Sequence, residues 1–219
     1  MSGFSFTAEN KARIGVMISG RGSNMLSLAE AARSADAPFE IALVLSNEAD
    51  AKGLAAARDL GLETAIVPHR DYPKDKPRFE AAMTEALTRA GCDLICLAGF
   101  MRILTAEFLL GDWRDRILNI HPSLLPSFRG LHTHRRALEA GVRLHGATVH
   151  LARPEVDEGP ILAQIAVPVH WNDHEDALAA RVLAEDHKLY PAALSAYATG
   201  ALRLSEDRER IIGDVAQAG

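Results

Sequence analysis

Short apolar runs alternate with longer segments of helical period along the first half of the chain. Arg13-Ile14-Gly15-Val16-Met17-Ile18 reads as a buried strand, and Asn24 to Arg33 as a helix. Phe39 to Leu45 is a second strand. Ala51 to Leu60 is a second helix, with Gly61 where a C-terminal cap belongs. Thr64 to Val67 follows as a short strand, Lys76 to Ala90 as a helix closed by Gly91, Asp93 to Ala98 as a fourth strand and Arg116 to Ile120 as a fifth. This β-α-β rhythm predicts a parallel sheet with helices on both faces. Strands that are apolar almost throughout fit a sheet buried on both sides.

The pattern changes after about residue 140. His145 to Leu151 and Ile161 to Val169 look like strands with no helix between them, and Pro154, Gly159 and Pro160 lie in the connection. That predicts an antiparallel pair or an edge extension. Asp173 to Ala198 is a long helix, capped by Asp173 or Asn172 and followed by Gly200. The fold class is therefore α/β, a single doubly wound, mostly parallel Rossmann-like sheet with an antiparallel edge extension in the second half. No repeat and no Pro/Gly/Ser-rich linker divides the chain. One domain is expected over residues 13–204, between a short disordered lead (1–12) and a loosely held tail (205–219).

Composition narrows the function classes. With 219 residues, 48% apolar and 24% charged, the chain has the balance of an ordinary globular protein and length enough for a core. The 24 basic and 29 acidic residues give 24 − 29 = −5, which argues against nucleic-acid binding by bulk charge. No run approaches the roughly 18 apolar residues of a membrane span. The first ten residues lack the charged-then-apolar order of a signal peptide, so a cytoplasmic protein is expected. Cys92 and Cys96 share an apolar run. On one strand their Cα atoms would lie about 13 Å apart, too far for a disulfide, and two reduced core thiols are expected.

Three segments carry candidate chemistry. Ser19-Gly20-Arg21-Gly22-Ser23-Asn24 lies between the first strand and a helix, where free N–H groups and the helix dipole favour a phosphate. The alternative is a plain tight turn with Ser23 or Asn24 as cap. A dinucleotide fingerprint would need glycine at Met25 and an acid after the second strand, which closes on Ser46-Asn47. The loop therefore suits one monophosphate. The fifth strand runs into Asn119-Ile120-His121-Pro122, at the carboxyl end where ligands gather in such sheets. A carboxamide and an imidazole on one side of the strand can stabilise a developing oxyanion, and the imidazole can move a proton. Simple strand-end capping is the competing explanation. The third segment is Asp157-Glu158-Gly159-Pro160, where one acid could face His121 and hold it as imidazolium, or both could be solvated. His132, His134, His145 and His150 raise the possibility of a metal site. No His-Glu-x-x-His appears and no cysteine lies near, so no metal is expected; His132 and His134 fit a helix start.

Taken in order, SGRGSN (19–24), LSN (45–47), LAGFMRIL (97–104), LNIHPSLLP (118–126), GLHTHRRALEAG (130–141), HGATVH (145–150), VDEGPILAQ (156–164) and HKLYPAAL (187–194) resemble the folate-dependent phosphoribosylglycinamide formyltransferase family over about residues 13–204. NIHPSLLP with the Asp-x-Gly-Pro-Ile segment is the specific part. The resemblance implies transfer of a formyl group from 10-formyltetrahydrofolate, as cosubstrate, to the amine of glycinamide ribonucleotide in purine synthesis. It implies Asn119, His121 and Asp157 as the catalytic trio and Gly22, Ser23 and Asn24 on the ribonucleotide's phosphate. Met101, Arg102, Ile103 and Leu104 would line the pterin pocket. The loop Arg153, Pro154, Glu155, Val156 and Asp157 would close its other side, and Lys76 sits where the family has a basic residue near the folate. The family commonly has Glu before His187; here Asp186, preceded by Glu185, stands there, and either could contact the ribonucleotide. The expected partners are these two small molecules, with no nucleic acid, no membrane and no metal, in a monomer or homodimer. A formyltetrahydrofolate hydrolase or a methionyl-tRNA formyltransferase would be expected to carry an extra domain.

Overall fold

The structure is a computed structural model and describes residues 4–214. A seven-stranded sheet has the order β3-β2-β1-β4-β5-β6-β7, with β1 at Ala12–Ile18, β2 at Phe39–Ser46, β3 at Thr64–Ile66, β4 at Leu94–Leu97, β5 at Ile117–His121, β6 at Leu144–Leu151 and β7 at Ile161–Pro168. The β1–β2, β1–β4 and β2–β3 pairs are parallel and β6–β7 is antiparallel. The helices are α1 (Ser23–Ala32), α2 (Lys52–Asp59), α3 (Lys76–Arg89), α4 (Ala106–Leu110), α5 (Thr133–Glu139) and α6 (Glu175–Thr199). The α/β class and the antiparallel extension are as the sequence pattern predicts. The chain forms two compact units, Ser5–Leu118 and Asn119 onward together with Phe4. The pattern predicts one domain because the division falls inside β5, an apolar strand with no linker composition.

In the first unit, β1 and β4 are buried almost end to end, the mark of strands covered on both faces. Ile14, Val16, Met17, Leu94 and Ile95 are fully enclosed, each contributing about 1.5–3 kcal/mol of apolar burial. In the second unit, β7 shows its outer residues to solvent and ends in Pro168, as suits an edge strand. Leu178, Val182, Ala193 and Leu194 of α6 are buried.

Local chemistry moves several predicted caps. The N-cap of α6 is His174, whose side chain accepts from the Ala177 N–H, rather than Asn172 or Asp173. Asp173 is committed elsewhere: it accepts from Arg181 at 2.7 and 2.9 Å and from the His170 N–H at 2.8 Å. Those bonds hold its carboxyl well below the usual range. Neither Ser23 nor Asn24 caps α1, because Gly22 occupies that position with φ +74°. His132 takes the N-cap of α5 in a left-handed conformation without a side-chain bond. Cys92 precedes β4 rather than sharing it with Cys96; neither is in a disulfide, and both are buried.

The ends are better tied than expected over their described residues. Phe4 meets Tyr197 edge-on with ring centroids 5.4 Å apart, and Thr7 accepts from the N–H groups of Glu9 and Asn10. Two short strands, β8 (Arg203–Leu204) and β9 (Ile211–Ile212), form an antiparallel ribbon across the start of the tail. Residues 1–3 and 215–219 of the predicted lead and tail lie outside the described residues.

Candidate active site

In the first unit the turn after β1 carries Gly22, Ser23 and Asn24 to the first turn of α1, where orphan N–H groups collect. The turn is pressed against the start of α2. The Gly53 N–H donates to the Gly20 carbonyl at 3.0 Å. A Cβ on Gly22 would lie 3.0 Å from the Gly53 Cα, and one on Gly53 would lie 3.2 Å from the Gly22 Cα. Glycine at both places lets two backbones touch and brings two helix starts together.

Met101, Arg102, Ile103 and Leu104 form the segment after β4. Met101 and Ile103 are each 67% exposed while Leu104 is buried, so the segment offers backbone and apolar side chains outward. Its far end is clamped: Glu80 of α3 accepts from the Thr105 N–H at 2.7 Å and from the Thr105 hydroxyl. Lys76, exposed at the start of α3, lies one turn before Glu80 and on the same helix face.

The second unit holds the sequence-predicted trio. Asn119 and His121 project from β5, and His121 is 7% exposed. The His121 ring lies between two acceptors: Nε2 is 3.0 Å from the Phe128 carbonyl and Nδ1 is 3.4 Å from Asp157 Oδ2. The same Asp157 oxygen accepts from the Gly130 N–H at 2.8 Å. Asp157 sits at φ +58°, an uncommon backbone state for aspartate, in the loop from Arg153 to Asp157. The base of that loop is pinched: a Cβ on Gly159 would fall 1.7 Å from the Leu151 carbonyl, so only glycine fits. Pro154 and Glu155 complete its arch, Val156 is half-exposed, and Arg129 pairs with Glu158 at 2.5 Å beside it.

The residue that sequence reasoning missed is His150 of β6. Its Nε2 lies 3.1 Å from Asn119 Nδ2 and 3.7 Å from Asp157 Oδ1, and its Nδ1 lies 2.9 Å from the Leu151 carbonyl. A carbonyl only accepts, so Nδ1 carries the proton, and Nε2 is then free to accept from Asn119. Burial holds His150 below its ordinary pKa, consistent with that neutral tautomer. The available signal was a histidine next to the last residue of a strand that is apolar and buried over most of its length. His134 and His145 form a ring pair, 5.3 Å apart edge to face. Among the described residues no group of three or more His, Cys, Asp or Glu is placed to hold a metal ion.

Of the two acids on α6, Glu185 is engaged on the surface by Lys188 at 2.8 Å, whereas Asp186 is buried. No helix among the described residues is long and apolar enough to cross a membrane.

A family model described as formyl transferase matches residues 12–194. The trifunctional purine biosynthetic protein adenosine-3 of Bos taurus is 44% identical over 197 residues, 90% of this chain but 19% of that protein, so the chain spans about a fifth of such relatives. The phosphoribosylglycinamide formyltransferase of Escherichia coli is 40% identical over 192 residues, covering 88% of this chain and 90% of its own length. Glycinamide ribonucleotide transformylase 1 of Symbiobacterium toebii superposes with a TM-score of 0.88 at 44% identity, over 93% of this chain and 95% of that one. Fold, family model and full-length relatives agree: the chain belongs to the formyl transferase family, among the phosphoribosylglycinamide formyltransferases.

Proposed function

We propose that this chain transfers the formyl group of 10-formyltetrahydrofolate to the amine of glycinamide ribonucleotide, in the cytoplasm and as a monomer or homodimer. The observation that carries the mechanism is the His121 ring held between the Phe128 carbonyl and Asp157. Two acceptors, one on each ring nitrogen, suit a ring with a proton on both. Asp157 sustains that imidazolium and fixes its plane.

The amine lone pair forms the new bond to the formyl carbon, and the carbonyl electrons move onto oxygen. Asn119 and His121 stabilise this tetrahedral oxyanion. One N–H of the Asn119 carboxamide is aimed at His150, which leaves the second for the oxyanion. The His121 Nε2 proton is bonded to the Phe128 carbonyl, so the oxyanion competes with that carbonyl for the same donor. Collapse re-forms the carbonyl and breaks the bond to folate N10, and the proton lost by the amine reaches N10 with His121 in the relay.

Gly22, Ser23 and Asn24 take the phosphate at the start of α1. Asp186, the inward acid, contacts the ribonucleotide rather than Glu185. Met101 to Leu104, including the exposed Arg102, are assigned to the pterin, the loop Arg153 to Asp157 is assigned to the same cosubstrate, and Lys76 is its basic contact.

The test is formyl transfer from 10-formyl-5,8-dideazafolate to glycinamide ribonucleotide, followed by release of the deformylated folate. Ribonucleotide-dependent turnover is expected, with kcat falling about 10²–10³-fold in His121→Ala and Asp157→Asn. Release without ribonucleotide would indicate a hydrolase, and no release from folded protein would overturn the proposal.

A further inference from the structure

The LSN segment at 45–47 is a motif to which the mechanism gives no task. Asn47 is 2% exposed and directly follows β2. Its Oδ1 accepts from the Ser19 hydroxyl at 2.5 Å, while its Nδ2 lies 3.1 Å from His69 Nδ1. The Ser19 oxygen in turn accepts from the Met101 N–H at 2.8 Å. Ser19 is the first residue of the phosphate turn, and Met101 is the first of the segment assigned to the pterin.

The backbone explains why a side chain is needed there. β1 and β4 run in register through Met17 and Leu97, and Ala98 donates to the Met17 carbonyl. Regular continuation would pair the Ser19 N–H with the Ala98 carbonyl. It pairs instead with Gly99, one residue further, at 3.2 Å. The ladder has slipped, and the next N–H, that of Met101, finds the Ser19 hydroxyl in place of a main-chain carbonyl. A hydroxyl that donates to one partner and accepts from another is oriented at both ends.

We propose that Ser19, held by Asn47, is a positioning residue that couples the phosphate turn to the pterin segment, so that each substrate tightens the binding of the other. The proposal rests on the substrate assignment above. A phosphate that orders residues 19–24 sets the Ser19 oxygen, and that oxygen sets the Met101 N–H. Linkage makes the effect reciprocal, so one coupling factor must appear in both titrations.

Calorimetric titration tests it, with glycinamide ribonucleotide and 5,8-dideazafolate, a pair that cannot react. The wild-type Kd of each ligand is measured with and without saturating amounts of the other. The expected factor is about fivefold or more in the wild type, equal in both directions, and close to one in Ser19→Ala. Ser19→Thr, which keeps the hydroxyl, is expected to restore most of it. A structural loss alone would weaken both ligands without changing their ratio, so the factor rather than the affinity is the readout. Binding of both ligands with no coupling in the wild type, or with equal coupling in Ser19→Ala, overturns this proposal and leaves the substrate assignment standing. Failure of either ligand to bind folded wild type overturns both.

Discussion

A histidine with one bare nitrogen beside a histidine flanked by two acceptors is the central feature at the scale of residues. His150 gives its Nδ1 proton to the Leu151 carbonyl and presents a bare Nε2 to Asn119, whereas both nitrogens of His121 face acceptors. The first arrangement fixes which way round the Asn119 carboxamide sits. In His150→Ala that amide is free to flip, and kcat is expected to fall about tenfold to a hundredfold with little change in either KM. His150→Gln, which offers an oxygen acceptor near the same place, should recover part of the rate. Steady-state kinetics with both substrates decides the matter, and unchanged kcat in both variants removes the role. Asn119 and His121 were legible as a pair because strand alternation puts them on one side of β5, whereas Asp157 joined them only through the family resemblance. His150 was not, because its significance comes from a neighbouring strand, and single-chain spacing is blind to pairing across a sheet.

Among the elements, the approach of α1 and α2 matters most. Gly22 carries φ +74° and its Cα faces Gly53, so an added methyl meets both strain and backbone. Gly22→Ala is expected to cost about 1–3 kcal/mol in stability. It should also raise the KM for glycinamide ribonucleotide more than that for the folate. Thermal unfolding and initial rates test the two parts, and an unchanged melting temperature would contradict the close contact. Most elements were readable from periodicity, since long apolar stretches bounded by glycine leave few options. The misplaced caps share one cause. Asp173 and Ser23 are good caps by residue type, but an arginine two turns into α6 claimed the first and a glycine contact displaced the second.

For the whole molecule, burial distributes acid sensitivity unevenly. His134, His145, His150 and His187 all belong to the unit from Asn119 onward, and burial lowers the pKa of each, that of His145 to about 4. The unfolded chain binds these protons near pH 6.5 and the folded chain does not. Stability is therefore full above pH 6.5 and declines as pH falls toward 4, by at most about 3 kcal/mol for His145. Urea unfolding between pH 7.5 and 4.5 should show this fall, and His145→Gln should flatten it. The two-unit division itself was hidden from the sequence, because it runs through a strand whose apolar residues read as continuous sheet.

The only two cysteines of the chain, Cys92 and Cys96, both lie in the unit Ser5–Leu118, and burial pushes the Cys92 thiol up to about 12. The thiolate is the reactive form, so the folded protein should ignore thiol reagents. Each modification event then records an opening of that unit, which makes the chain its own chemical stopwatch. A pyridyl disulfide, which still reacts in acid, can be timed at pH 5 against the loss of helical circular dichroism. Labelling that trails the spectral change would mean that the histidine-rich unit gives way first. Labelling in step with it would mean that the sheet fails as one.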